Sequence, residues 1–358
     1  MYWLRKLEAR GLRPEGRTYL GVVRAWVQRS SDESLSPEER KEAIIAAEKV
    51  LTDVLHLSEV AQTKDLDSVY GNDFDYDEDT SGMKLVGLVM SGWINTRFPE
   101  SAERAHALLE RCSALSEKLP DRAWELKPDM IAYTMVVDAY ARCYNSNKAM
   151  ELLNKVRDLE KKGDEKASLT VRFMSSVVCA LGNEMRHDVH AARNAVALLD
   201  EVIDRYNSNN HPASMPTIFL FNNVLKCCAS VNGVDGERTQ AFDLAMEVYG
   251  KMKPFRRVTP DSYTYNYLLK ATTRFVSMRS DRDAKIRAIF EDCAKGGLVN
   301  SHIMDRVRRH ASPILVDNIL NGATSLKALP MEWTINARTT KKNNPRNSRR
   351  TNSSGLTP

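Results

Sequence analysis

A short pattern of apolar, small and polar positions recurs six times along the chain. Its clearest copies are Thr18-Tyr-Leu-Gly-Val-Val-Arg-Ala-Trp26, Ala132-Tyr-Thr-Met-Val-Val-Asp-Ala-Tyr140, Leu220-Phe-Asn-Asn-Val-Leu-Lys-Cys-Cys228 and Thr264-Tyr-Asn-Tyr-Leu-Leu-Lys-Ala-Thr272, which superpose without gaps. Residues 85–93 and 173–181 are weaker copies. An aromatic or bulky residue near the start and Val/Leu pairs beyond it give each segment one apolar helical face. The equivalent positions Thr18, Leu85, Ala132, Phe173, Leu220 and Thr264 lie 67, 47, 41, 47 and 44 residues apart. After each copy comes a polar break and a second helical segment with A-x-x-L-L-type spacing, at 37–58, 101–118, 147–161, 189–206, 236–252 and 281–294. In the third of these, Ala149, Leu152, Leu153, Val156 and Leu159 form a one-sided stripe. A single hairpin cannot bury such a stripe, whereas stacked hairpins can. The pattern therefore predicts an all-α superhelical solenoid of helix-turn-helix repeats with a long concave groove.

Three segments between hairpins share a further signature: Leu12-Arg-Pro14-Glu15, Leu126-Lys-Pro128-Asp129 and Val258-Thr-Pro260-Asp261. Proline lacks the amide hydrogen a helix interior needs but suits the first turn, and Asp is a strong N-cap, so each marks a helix restart. The chain opens in helical periodicity, with Trp3 or Leu4 and Leu7 on one face and Gly11 closing the helix before Pro14. This leaves no room for a transit peptide ahead of the folded part; either one is absent or the chain is a fragment. The repeat spacing exceeds a basic unit of ~34 residues. The excess lies in insertions, of which the acidic stretch 61–81 is the longest.

With 42% apolar and 28% charged residues, the chain can bury a sizeable core, which excludes wholesale disorder. Its longest apolar stretch, 85–94, is interrupted by Gly87, Ser91 and Gly92 and falls short of the ~20 residues of a membrane helix. No membrane partner is expected. The formal net charge of +5 is concentrated at one end: Arg338, Lys341, Lys342, Arg346, Arg349 and Arg350 have no acidic neighbour after position 337. The remainder carries 46 basic against 47 acidic residues, so overall charge does not point to nucleic acid; only a localised positive surface would. Cys112, Cys143, Cys179, Cys227, Cys228 and Cys293 form no C-x-x-C pair and have no His at ligand spacing. They read as buried thiols in a reducing compartment rather than as a disulfide frame or a zinc site.

In Pro260-Asp-Ser-Tyr-Thr-Tyr-Asn-Tyr-Leu-Leu269 a Pro-Asp pair leads into an aromatic-Asn-x-Leu-Leu helix, and a second helix ends in Ala241-Phe-Asp-Leu-Ala-Met-Glu-Val-Tyr-Gly-Lys-Met252. Together these resemble the pentatricopeptide repeat. The resemblance covers about residues 1–312, although most repeats here are longer than that family's unit. The nearest rival, the tetratricopeptide repeat, wants a W-x-x-L-G-x-x-Y first helix and Ala-x-x-x-Phe spacing, neither of which recurs. The resemblance implies a right-handed superhelix that binds single-stranded RNA in a mitochondrion or plastid, one base per repeat. It implies that each base is read by the polar residue just after the first-helix aromatic and by the last residue before the next repeat.

Carried over position by position, the first-helix site falls on Leu20, Gly87, Thr134, Ser175, Asn222 and Asn266. An Asn, Ser or Thr side chain can hydrogen-bond a Watson–Crick edge, whereas Leu20 and Gly87 offer no side-chain hydrogen bond and are expected to read nothing. The partner site falls on Asp129 after Gly87, Thr170 after Thr134, Thr217 after Ser175, Asp261 after Asn222 and Ser301 after Asn266. Asn222 with Asp261 resembles a uracil reader, and Asn266 with Ser301 a cytosine reader. Lys226 and Lys270 occupy equivalent places in successive first helices and, with Arg274, are the expected phosphate contacts. The alternative is that Asn222 and Asn266 are ordinary polar residues of a first helical turn.

Other motifs carry less. Gly11-Leu-Arg-Pro-Glu-Gly16-Arg17-Thr18 mimics a phosphate-binding loop, but Arg replaces its Lys, Pro14 sits inside it and no strand precedes it. Asp73-Phe-Asp75-Tyr-Asp77-Glu-Asp79 alternates carboxylates like a calcium loop, yet Glu78 and Lys84 stand where Gly and Glu are required. His187 and His190 are too few for a zinc site. After Ser312 a single Asp, Asp317, and a single Glu, Glu332, remain, too few for metal-dependent phosphodiester hydrolysis, and no deaminase signature is present. No catalysis and no cofactor are expected.

Residues 313–337 continue the apolar periodicity and read as a capping segment anchored by Trp333, since a solenoid end must cover an apolar face. The Asn/Ser/Thr/Arg/Lys mixture of 338–358 reads as a basic tail unable to fold alone. The expected function is binding of single-stranded RNA in organellar RNA processing, stability or translation, alongside processing or ribosomal proteins. The competing class is a protein–protein scaffold, which the same groove would serve.

Overall fold

In a computed structural model, residues 16–63, 82–119, 126–184, 188–209 and 211–337 are described, together with Lys6 and Arg10. Among them lie 14 helices and no strand, so the fold is all-α. In chain order these are α1 (Gly16–Ser30), α2 (Pro37–Thr63), α3 (Gly82–Thr96), α4 (Ser101–Lys118), α5 (Met130–Arg142), α6 (Ser146–Lys161) and α7 (Val171–Asn183). They continue with α8 (Val189–Asn209), α9 (Ile218–Cys228), α10 (Asp235–Met252), α11 (Ser262–Phe275), α12 (Arg279–Lys295), α13 (Ser301–His310) and α14 (Pro313–Leu320). Every predicted first and second segment falls on one of these helices. The opening turn around Trp3, most of the 61–81 insertion and the 338–358 tail lie outside the described residues.

The helices start where the sequence supplies a cap. Asp129 accepts from the Ala132 amide at 2.8 Å, Thr170 from Phe173 at 3.2 Å, Thr217 from Leu220 at 3.3 Å and Asn300 from Ile303 at 3.0 Å. At α11 Asp261 accepts from Thr264 N at 3.0 Å while its own amide donates to Thr264 Oγ1 at 3.1 Å, a reciprocal box. The α5–α6 hairpin turns through Tyr144 at φ 56°, and the Asn145 amide returns to Tyr140 O at 3.0 Å.

Two compact units divide the chain at Gly233/Val234. In the first, α1, α3, α5, α7 and α9 pack in succession, and each of α2, α4, α6 and α8 packs on the helix before it and the helix after it. The Val/Leu pairs of the repeat are the core of this arrangement: Val89, Met90, Val136, Val137, Val177, Val178, Val224 and Leu225 are each fully buried. A small residue two places further on keeps the helices close. A Cβ on Gly92 would come within 2.6 Å of Ile44 Cδ1 and 3.1 Å of Val27, which is why α3 can sit against α1 and α2. The even helices are joined by ion pairs from one to the next: Arg104–Glu48 at 3.3 Å, Lys155–Glu110 at 2.7 Å and Arg205–Glu160 at 2.9 Å. Exposed pairs of this kind contribute at most about 1 kcal/mol each. Their regular placement follows the repeat.

In the second unit α11 packs against α10, α12 and α13, and α14 against α12 and α13. Leu268, Leu269, Ile286, Phe290, Ile303 and Val307 fill its core. The segment after α14 folds back over α12. Trp333 meets Phe290 edge to face at 5.7 Å between centroids, its carbonyl accepts from Val299 N at 2.8 Å, and Asn336 N donates to Gly297 O at 2.8 Å. Gly297, at φ 69°, has no room for a side chain beneath Ile335 and Glu332.

Candidate nucleic-acid interface

Position five beyond each helix cap holds the residue singled out as a base reader. In the first unit these are Thr134 on α5, Ser175 on α7 and Asn222 on α9, brought side by side by the packing of those helices. Their surroundings are close: they are 5%, 3% and 9% exposed. Thr134 Oγ1 donates to Met130 O at 2.5 Å and Ser175 Oγ to Val171 O at 2.7 Å, so both hydroxyl hydrogens are held by their own helix. Beside Asn222, the Nδ2 of buried Asn223 has no hydrogen-bond partner among the described residues.

One turn further along, the row reads Asp138, Cys179 and Lys226. Asp138 faces Arg172 at 3.7 Å. Burial pushes the Cys179 thiol up, against the pull of Lys226. Lys226 Nζ donates to Asn183 Oδ1, and Asn183 Nδ2 donates to Ala141 O at 2.9 Å, which ties α5, α7 and α9 through one amide. The row in this unit is thus mixed in sign, and its lysine is engaged by the protein.

In the second unit the equivalent row on α11 is Asn266, Lys270 and Arg274, spaced by four residues along one face. The structure adds to it a residue the sequence did not single out, Arg306 of α13, whose Nε donates to Asn266 Oδ1 at 3.3 Å. A guanidinium only donates, so this contact fixes the amide with its oxygen toward Arg306 and leaves Nδ2 as the end that presents hydrogens. Arg306 is half-buried and makes no ion pair among the described residues. Its pKa is lowered by that burial and by the charges of Arg309 and Arg274. Arg274 is likewise lowered by desolvation and by Arg238, and His310 by desolvation and the arginines 306, 282 and 309.

The expected partner positions all stand at helix starts. Thr170, Thr217 and Asp261 are the N-caps of α7, α9 and α11, exposed or half-exposed, with their side chains accepting from the first turn. Ser301 is exposed one residue inside α13, whose cap is Asn300; by cap register Asn300 is the residue equivalent to Asp261. That one-residue difference was hidden because no Pro-Asp pair precedes α13. Cys143 is exposed and Cys179 half-buried, unlike the other four cysteines, which are buried; all six are free thiols. Residues 11–15 of the loop-like motif, the Asp73–Asp79 carboxylates and His187 lie outside the described residues, while Gly16, Arg17 and Thr18 open α1. Among the described residues no group of three His, Cys, Asp or Glu side chains is placed to hold a metal ion, and no helix is long and apolar enough to cross a membrane. No protein-family model matches the chain, and no curated protein is significantly similar to it.

Proposed function

We propose that this chain is a helical-repeat protein of pentatricopeptide type that binds single-stranded RNA along the row of polar positions on its first helices. In this reading the hairpins stack as a right-handed superhelical solenoid, residues 313–337 cap it, and the chain carries no catalysis of its own. It holds or presents a transcript in a mitochondrion or plastid for processing, stabilisation or translation by other proteins. The observation that carries the reading is the concentration of weakly balanced positive charge beside a reader position, Arg306 in contact with Asn266 and Arg309 near Arg306, in a chain whose body is otherwise near neutral. A localised cationic surface with an amide at its edge suits a strand of phosphates and unstacked bases.

A protein-binding scaffold is the second reading, favoured by the first unit, where Thr134 and Ser175 are buried and Asp138 stands in the row. Selection from a randomised single-stranded RNA pool at two salt concentrations separates the two. RNA reading predicts enrichment of a short pyrimidine-containing motif that Asn222→Ala/Asn266→Ala abolishes. Salt-sensitive retention without any enriched motif, unchanged in the double variant, would reject base reading.

A further inference from the structure

In the second unit the second turn of α13 and the start of α12 bring cations together with few carboxylates to balance them. Arg306 has Asn266 as its only hydrogen-bond partner among the described residues. Arg282 reaches Val276 O through Nη1 at 3.4 Å, while its Nε is buried with no partner among the described residues. Arg309 faces Asp305 only at 4.0 Å, with both side chains exposed. His310 makes no hydrogen bond or ion pair among the described residues, and the charges it experiences are those of Arg306, Arg282 and Arg309. Of the neighbouring carboxylates, Asp283 accepts from Ser312 N at 3.2 Å and Asp305 is held by Arg309.

Basic residues at a helix C-terminus favour the helix dipole, and Arg308, Arg309 and His310 stand in the last turn of α13, with Arg308 also donating to Ala323 O. The dipole does not explain Arg306 or Arg282. A half-buried guanidinium beside other guanidiniums loses hydration without gaining a counter-charge, a cost that an anion would remove. Guanidinium forks match phosphate oxygens two at a time, which suits them to this ligand better than to a lone carboxylate.

We propose that Arg306, Arg309, Arg282 and His310, with Arg274 at the rim, form a phosphate cradle that grips a backbone phosphodiester beside the base met by Asn266. That the phosphate belongs to a single RNA strand rests on the function proposed above; the anion chemistry of the cradle does not. With a phosphate in place His310 gains a proton acceptor and a reason to be charged, and the Asn266 amide stays fixed by Arg306.

The test uses the full chain and two probes. Fluorescence anisotropy with a labelled ten-nucleotide oligouridylate is measured across a salt series, and thermal shift is measured with inorganic tripolyphosphate. The cradle predicts that Arg306→Gln/Arg309→Gln weakens RNA binding by about tenfold or more and lowers the salt slope by ~0.7 for each phosphate that is no longer neutralised. It also predicts that the tripolyphosphate shift disappears, while Arg306→Lys/Arg309→Lys keeps most of the salt slope. Because removing poorly balanced charge does not unfold the unit, the Gln variant melts no lower than the parent. RNA binding with an unchanged slope and an unchanged tripolyphosphate shift in the Gln variant overturns the cradle and leaves the RNA reading standing. A tripolyphosphate shift that depends on Arg306 and Arg309, with no RNA binding by the parent, upholds the cradle and overturns the RNA reading.

Discussion

The polar rows of the two units occupy the same repeat positions, but the groups around them differ. In the first unit, the groups in the row are answered by the protein: Thr134 and Ser175 by their own helix carbonyls, Asp138 by Arg172, Lys226 by Asn183. In the second, Asn266 accepts from Arg306, which has like charges nearby, and Arg282 of α12 keeps a buried Nε with no partner among the described residues. The helix pattern and its buried core thus persist in both units while the charges around the row differ.

The contrast can be broken by charge. Arg306→Glu/Arg309→Glu is expected to reduce affinity for oligouridylate by about 100-fold at ~0.1 M salt, each charge-assisted hydrogen bond removed being worth roughly 1.5 kcal/mol. Lys148→Gln on α6, which removes a surface charge paired with Glu151 in the first unit, should change it by less than about threefold. Anisotropy titrations of the two variants read both effects, and equal losses would erase the distinction between the units.

The next effect concerns stability and has opposite signs in the two rows. Asn183→Leu leaves the Lys226 ammonium and Ala141 O without their amide and should cost about 2 kcal/mol in urea denaturation. Arg306→Leu removes a half-buried cation from among its like and should leave the protein unchanged or more stable by up to about 1 kcal/mol. A matching loss in both variants would show that Arg306 is a structural partner of Asn266 like those of the first row.

How far the sequence could be read follows from the same contrast. The Val/Leu pairs and the Pro-Asp restarts announced the helices, because burial of a stripe and satisfaction of the first amides are local demands that leave a periodic trace. The all-α class and the positions of the helices were legible for that reason. Arg306 was not: it stands in a helix of ten residues whose apolar positions are few, and its importance lies in a contact with Asn266 forty residues away. Nor was the burial of Thr134 and Ser175 legible, since a polar residue on a first helix gives no sign of how closely the next helix packs.

The smallest expected effect is a pH dependence from His310. Its folded pKa is lowered below the usual 6.5 by burial and the surrounding arginines, so the unfolded chain takes up a proton at a higher pH than the folded one. The stability linked to this group is full above pH 6.5 and is lost as pH falls through the lower folded value. His310→Gln should flatten that part of the melting profile between roughly pH 7.5 and pH 5.5, and only slightly, because His310 is exposed and solvent screens the charges around it. Bound oligouridylate, by favouring charged His310, should shrink the same slope in the parent.

The most direct test of the account is to photocrosslink the full chain to single-stranded RNA carrying 4-thiouridine and to map the modified peptides by mass spectrometry. Binding of RNA at the cradle predicts crosslinks within α11 and α13, at 262–275 and 301–310, that Arg306→Gln/Arg309→Gln diminishes. Crosslinks confined to the basic segment 338–358 or to the even-numbered helices, with none on α11 or α13, would contradict it.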